Sequence, residues 1–163
     1  ERNLMVAESI LCLAMNIYHE ARGESIEGQI AVAVVTMNRV KESKWPNTPC
    51  EVVWQNKQFS WTKDGKSDRM PDRDARRQAF EIATGIYIAY EGGHDYTLEY
   101  GFGVDAGAHD KHEGVYDYIL YDHIINLMDN AVYYHADYAD PYWSKEFQYI
   151  ASIDKHRFYR EWR

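Results

Sequence analysis

From Ile26 to Lys41 the chain is apolar almost all round, with Ile30, Ala31, Val32, Ala33, Val34, Val35 and Met37 crowded into one short span. A segment without a polar face belongs in the interior. Its β-branched residues would suit a buried strand. Its length, the polar Gln29 and Asn38-Arg39 near its ends, and Ser25 as an N-cap favour a buried helix instead. Ahead of it Leu4, Ala7, Leu11, Ala14 and Tyr18 recur at helical spacing, with Ile10, Leu13 and Ile17 widening the stripe. That pattern stops at His19-Glu20-Ala21-Arg22-Gly23-Glu24, six residues holding two carboxylates, a guanidinium and an imidazole. Two helices joined at Gly23-Glu24-Ser25 set Glu20 beside a tight corner, from which a side chain projects into a cleft. A carboxylate in a last helical turn gains nothing from the helix dipole. Burial there raises its pKa, which is what a general acid needs. The plainer reading is a solvated, charged helix end.

The rest of the chain reads in order. Trp45-Pro46-Asn47-Thr48-Pro49 is a loop by its two prolines. Val52-Val53-Trp54 and a turn lead to Gln58-Phe59-Ser60-Trp61-Thr62, whose alternation predicts a short strand or extended segment. Residues 63–70 are polar and predict a mobile loop. Asp72 is the expected cap of a third helix, in which Ala75, Ala79, Ile82, Ala83, Ile86 and Tyr90 keep helical spacing up to a stop at Gly92-Gly93. Residues 94–114, rich in Gly, Tyr and Asp, predict no regular structure. Helical spacing resumes over 116–127 through Ile119, Leu120, His123, Ile124 and Leu127. Ala131-Val132-Tyr133-Tyr134-His135, a Pro141-Tyr142-Trp143 corner, residues 149–153 and the strand-like His156-Arg157-Phe158-Tyr159 complete it.

Length and charge bound the function. The 163 residues make one domain with room for a sizeable core, and no apolar run is long enough for a membrane span. No signal-peptide pattern opens the chain, and a start at Glu1-Arg2-Asn3 without Met is what removal of an upstream segment would leave. Residues 91–140 hold eleven acids against the single Lys111, a net of −10, so the rest of the chain is slightly basic and the whole comes to −8. Nucleic acid is excluded as a partner of this segment, because phosphate binding needs clustered Lys and Arg. Cys12 lies mid-helix among apolar residues and reads as a small hydrophobe. The expectation is that Cys12 and Cys50 are free thiols.

Several chemistries fall away. His19-Glu20 begins like the zinc-protease pattern H-E-x-x-H, but Gly23 stands where the second histidine belongs. His109, Asp110, His112 and Glu113 form a second metal-like cluster, which reads better as a solvated acidic loop than as a metal site. No G-x-S-x-G, no P-loop and no polar cysteine setting is present. Acid–base chemistry on carboxylates remains. Were the helix to continue, Glu20 and Glu24 would lie about 5–6 Å apart at Cβ, near the spacing of a retaining glycosidase. Gly23 and Ser25 argue against continuation, so Glu20 is assigned as the acid and Glu24 as a supporting residue of the corner. The 14 Tyr and 5 Trp suit a sugar ligand, since aromatic faces stack on pyranose rings. Trp45, Trp54 and Phe80 read as core, and Tyr133, Tyr134 and His135 as cleft residues.

These motifs, taken in order, resemble the spore cortex-lytic enzyme (SleB-like) cell wall hydrolases, a family that includes bacterial germination enzymes and phage lysis enzymes. The resemblance runs through Tyr18-His19-Glu20-Ala21-Arg22-Gly23-Glu24, Gly28-Gln29-Ile30-Ala31-Val32-Ala33, Met37-Asn38-Arg39-Val40, Cys50-Glu51-Val52-Val53 and Gln58-Phe59-Ser60-Trp61. It resumes with Tyr134-His135, Pro141, Trp143 and His156-Arg157-Phe158-Tyr159. It implies a mainly α (α+β), lysozyme-like, lytic-transglycosylase-like helical domain with a small β-hairpin element. It also implies action on peptidoglycan glycan strands at the cell wall, by a secreted, periplasmic or phage-delivered protein without a cofactor. The family's essential glutamate falls on Glu20, facing a sugar-sized furrow. Gln58, Phe59, Ser60, Tyr134 and His135 are the residues expected to bind the glycan. The chain departs from the family at about 92–130, an acidic, Tyr-rich insertion that reads as a lid, a protein-partner surface or an elaborated loop. The activity the resemblance implies is that of a lytic transglycosylase giving 1,6-anhydro-muramic ends, the alternatives being a hydrolytic muramidase and a non-catalytic peptidoglycan-binding module.

Overall fold

The computed structural model describes residues 1–55, 59–91 and 113–163, the side chains of 113–118 excepted. Helix α1 spans Arg2–Ala21 and α2 spans Ile26–Lys41. A short α3, Pro49–Trp54, is followed by a 3-10 helix at Ser60–Lys63. Then come α4, Arg73–Glu91, and α5, Glu113–Leu127. Strand β1 (Tyr133–Ala136), a 3-10 helix (Tyr142–Glu146), β2 (Gln148–Ile153) and β3 (His156–Arg160) close the chain.

Helix α2 is the axle. Gly28 through Met37 are buried without a break, because α1, α3, α4 and α5 all pack on it and β2 touches its side. The expected cap is present: the Ser25 hydroxyl accepts the Gly28 N–H at 3.2 Å. Thr48 and Asp72 cap α3 and α4 in the same way, accepting from Glu51 N and Ala75 N. On α1 the buried line is Val6, Ile10, Leu13 and Ile17, whereas Leu4, Ala7 and Leu11 of the predicted stripe face outward. Apolar residues occur on both flanks of α1, so the choice of flank is made by α2 and α4 rather than by α1 itself.

Three further expectations are corrected. Cys12 and Cys50 are not free thiols but a disulfide across 38 residues, with Cα atoms 5.2 Å apart. Pro49 opens α3, and the packing of α3 on α1 brings the two sulfurs together. Residues 60–62 form a 3-10 turn rather than a strand, since the Thr62 N–H and hydroxyl both bond the Phe59 carbonyl, at 3.3 and 2.8 Å. Trp54 is 43% exposed rather than core. Within the described part of residues 92–130, Tyr121 and Ile124 of helix α5 and Met128 just after it join the main core. Gly85 permits this approach, for a Cβ there would meet the Tyr121 ring at 2.3 Å.

The sheet is antiparallel in the order β1-β3-β2. Its β2–β3 turn is seated on the α1–α2 corner. Asp154, held at φ 49°, accepts the Ser25 N–H at 2.9 Å and the Ser25 hydroxyl at 2.6 Å. Gly28 makes room for it, since an added Cβ would stand 2.4 Å from the Asp154 carboxylate. From the other end of α2, the Asn38 amide donates to the Met128 and Ala131 carbonyls, and Arg39 Nε donates to the Val132 carbonyl at 2.8 Å. The sheet is thus pinned at both ends of one helix.

Candidate active site

Glu20 stands in the last turn of α1, partly buried, where the corner meets the inner face of the sheet. Its Oε2 accepts the Tyr134 hydroxyl at 3.0 Å. Burial is the main cause of a pKa raised above the ordinary 4.5. The Tyr134 hydrogen bond and the charges of His156 and Arg39 oppose the rise, and Glu24 adds to it. A carboxyl group so placed keeps its proton to higher pH than a solvated one. Tyr134 is itself held far above the usual tyrosine range by burial and by Glu20, so its hydroxyl remains a donor.

Glu24 is the second carboxylate, and it is occupied. Both its oxygens lie close to His156 Nδ1, at 3.0 and 3.1 Å, with the two side chains only 13% exposed. Burial raises its pKa as well, against the pull of His156. The buried Gln29 amide ties the corner down by donating to the Glu24 carbonyl at 3.1 Å and to Gln78 of α4 at 2.9 Å. Beneath the site runs Arg39, 4% exposed, its guanidinium over the rings of Phe59 and Trp45 at 5.3 and 5.6 Å. Burial lowers its pKa, yet guanidinium still carries its proton at any working pH.

The residues expected to bind glycan are sorted by the fold. Tyr134 reaches Glu20. His135, the next residue on β1, points to the opposite face, where its Nε2 pairs with the Tyr159 hydroxyl at 2.8 Å and its ring stacks on Tyr159. Phe59 is 3% exposed and packs with Cys12, Val53 and Trp61 under Arg39, a core position. Ser60 is exposed at the start of its 3-10 turn. Gln58 lies outside the described residues, as does most of the His109-to-Glu113 cluster. Among the described residues no group of three metal-ligating side chains occurs, and no helix is long and apolar enough to cross a membrane. Two open hollows lie away from Glu20, one around Trp45 and Asn47 and one around Arg73, Arg76 and Arg77 of α4, so the expected furrow is not one of them. Sequence reasoning gave His156 and Arg39 no role. Their signal was present, in the alternation of residues 156–159 and in a lone arginine at the end of an apolar helix.

Fold and site together define a class: a helical α+β domain holding two sheltered carboxyl groups at a helix corner, one bonded by Tyr134 and one held by His156, the equipment of an acid–base enzyme. The family model described as Cell Wall Hydrolase matches residues 23–159, and the chain belongs to that family. The match begins just beyond Glu20. The spore cortex-lytic enzyme of Bacillus subtilis (strain 168) is 36% identical over 76 residues, which are 47% of this chain and 25% of that protein. The spore cortex-lytic enzyme of Bacillus cereus is 34% identical over 76 residues, again 47% of this chain and 29% of its own length. The aligned region is therefore a little over a quarter of these relatives. The catalytic domain of the germination-specific lytic transglycosylase SleB from Bacillus anthracis is similar with a TM-score of 0.58 and 25% identity, over 93% of each chain. The catalytic domain of the Bacillus cereus SleB protein shares the fold, with a TM-score of 0.58 and 24% identity over 98% of this chain and 91% of that one. The expected family and the mainly helical fold with a small sheet are both borne out.

Proposed function

We propose that this domain cleaves the glycan strand of peptidoglycan as a lytic transglycosylase, with Glu20 as its one catalytic carboxyl group. The observation that carries this is the pairing of a sheltered Glu20, hydrogen-bonded by Tyr134, with a Glu24 already engaged by His156. A retaining or inverting glycosidase needs a second carboxylate as nucleophile or base. Here the second one is bound elsewhere. Protonated Glu20 gives its proton to the glycosidic oxygen as the C1–O bond breaks. The resulting carboxylate then takes the proton from the 6-hydroxyl of the same muramic sugar as that oxygen closes on C1. The ring so formed is a 1,6-anhydro end, no water is consumed, and Glu20 is protonated again. Tyr134 orients the acid, and its hydrogen bond together with the charges of Arg39 and His156 steadies the carboxylate between the two proton transfers.

The likeness to a lytic transglycosylase catalytic domain supports the same reading. The enzyme acts at the cell wall, reached by export or by release as a phage lysis protein. A protein partner would be drawn to the acids of residues 92–130, and a pull-down with those acids intact or replaced by amides tests that. The main test is digestion of purified sacculi by the wild type and by Glu20→Gln, with mass spectrometry of the released sugars. Anhydro ends that vanish in the variant support the proposal. Reducing muramic ends would make the domain a hydrolytic muramidase, and undiminished cleavage by Glu20→Gln would remove the proposal altogether.

A further inference from the structure

A rank of aromatic rings leads outward from the residue next to the acid. His19 stacks on Trp61 with ring centroids 4.6 Å apart and planes 23° from parallel. Trp61 meets the edge of Trp54 at 5.1 Å. The two inner rings are held fast: Trp61 Nε1 donates to the buried Asn16 Oδ1 at 2.9 Å, Asn16 is held in turn by Thr36, and His19 Nε2 lies 3.1 Å from the Asp68 carbonyl. Trp61 is 6% exposed. Trp54 is the ring left open, 43% exposed at the end of α3. The Cys12–Cys50 disulfide anchors the opposite end of that short helix to α1, so Trp54 is fixed to the same helix that carries Glu20.

What sets Trp54 apart is its bracing: its indole is held edge-on against a buried, hydrogen-bonded Trp61 while remaining half exposed. It suits a flat, partly apolar ligand that stacks on one face and keeps its polar rim in water. We infer that Trp54, backed by Trp61 and His19, is a stacking platform for a pyranose ring of the bound strand, at a subsite removed from the cleaved bond. The inference rests on the glycan-cleaving reading above. It adds that the domain grips a strand on the α3 side of Glu20 and so prefers longer strands to short ones.

The test uses binding and turnover separately. In the inactive Glu20→Gln background, N-acetylglucosamine oligomers of increasing length are titrated by calorimetry against the parent, Trp54→Ala and Trp54→Phe. The longer oligomers are expected to bind Trp54→Ala about three- to tenfold more weakly than the parent. The shortest should bind both alike, and Trp54→Phe should recover most of the loss. With Glu20 intact, Trp54→Ala should raise KM on long strands and leave kcat near its starting value. Equal affinities at every length, or a loss equal at every length, overturns the platform. If the wild type cleaves sacculi and Trp54→Ala matches it in KM, the subsite is wrong and the glycan-cleaving function stands. If the wild type cleaves no sacculi, the function itself fails.

Discussion

The two faces of the C-terminal sheet are built from alternate residues of the same strands, and they do different things. The inner face presents Tyr134, His156 and Phe158 to the helices, with the Tyr134 ring 5.1 Å from His156 and 5.5 Å from Phe158. Two of its polar side chains lead to the corner: Tyr134 to Glu20, His156 to Glu24. The outer face presents Tyr133, His135 and Tyr159 to Trp143 and Phe147, ring against ring. Its polar atoms turn away from the corner: His135 pairs with Tyr159, and the Tyr133 hydroxyl with Lys44 and Glu161. Neighbouring aromatic residues therefore belong to separate systems, one facing the Glu20 corner and one packed against Trp143 and Phe147. Strand alternation alone makes that division.

The comparison is broken most severely at Glu20. Glu20→Gln keeps the shape and the Tyr134 contact and removes the transferable proton. Sacculus cleavage is expected to fall about 10²- to 10⁴-fold, the usual worth of a general acid. The fold should be unchanged by circular dichroism.

Tyr134→Phe and His135→Ala then set the two faces against each other. Losing a hydrogen bond to a group that becomes charged costs about 1.5–3 kcal/mol, so Tyr134→Phe is expected to lower kcat about 10- to 100-fold. The hydroxyl lowers the Glu20 pKa, so its removal should also move the alkaline limb of the rate profile to higher pH. His135→Ala should leave kcat and that limb within about twofold, and instead cost roughly 1–2 kcal/mol of stability through its lost stack and hydrogen bond. A kcat loss in His135→Ala matching that of Tyr134→Phe would dissolve the distinction.

Gly28→Ala probes how the inner face is seated. The new methyl group collides with Asp154, which must leave Ser25 and carry the β2–β3 turn with it. Overpacking of this kind costs about 1–3 kcal/mol. A melting curve reads that directly. Because His156 rides on the same turn, the Glu24–His156 pair should loosen too, visible as a shifted His156 imidazole resonance.

Much of this was legible in the chain, for identifiable reasons. The α2 segment announced itself because a helix buried on every side must be apolar on every side, and Ser25 marked its start. Glu20 was legible because a charged cluster ended an apolar pattern at a tight corner. Tyr134 and His135 were not separable by composition. Only the strand register, Tyr134 opposite Phe158 and His135 opposite Arg157, assigns one to each face. The disulfide was missed because Cys12 reads as an ordinary core position until α3 is packed against α1. Phe59 and Trp54 exchanged expectations for a related reason. A 3-10 turn in place of a strand sends Phe59 inward, and the short α3 ends with Trp54 at the surface.

The smallest effect is thermodynamic, and it separates the acid from its surroundings. Glu20 has a pKa raised in the folded protein, so the folded state resists ionisation that the unfolded chain accepts freely. Below the ordinary 4.5 both states hold the proton and Glu20 carries no penalty. As pH climbs past 4.5 the unfolded state loses its proton first, and stability declines until the pH has passed the folded pKa, above which the deficit stays constant. Glu24, also raised, contributes a decline of the same sign. Glu20→Gln removes the first contribution and leaves the second. The variant is therefore expected to melt at a higher temperature than the wild type at pH 7, with the gap narrowing as pH falls toward 4. A gap that is absent at pH 7, or that widens in acid, would mean that Glu20 is solvated, and the inner face would then lose its claim to be built around a sheltered proton.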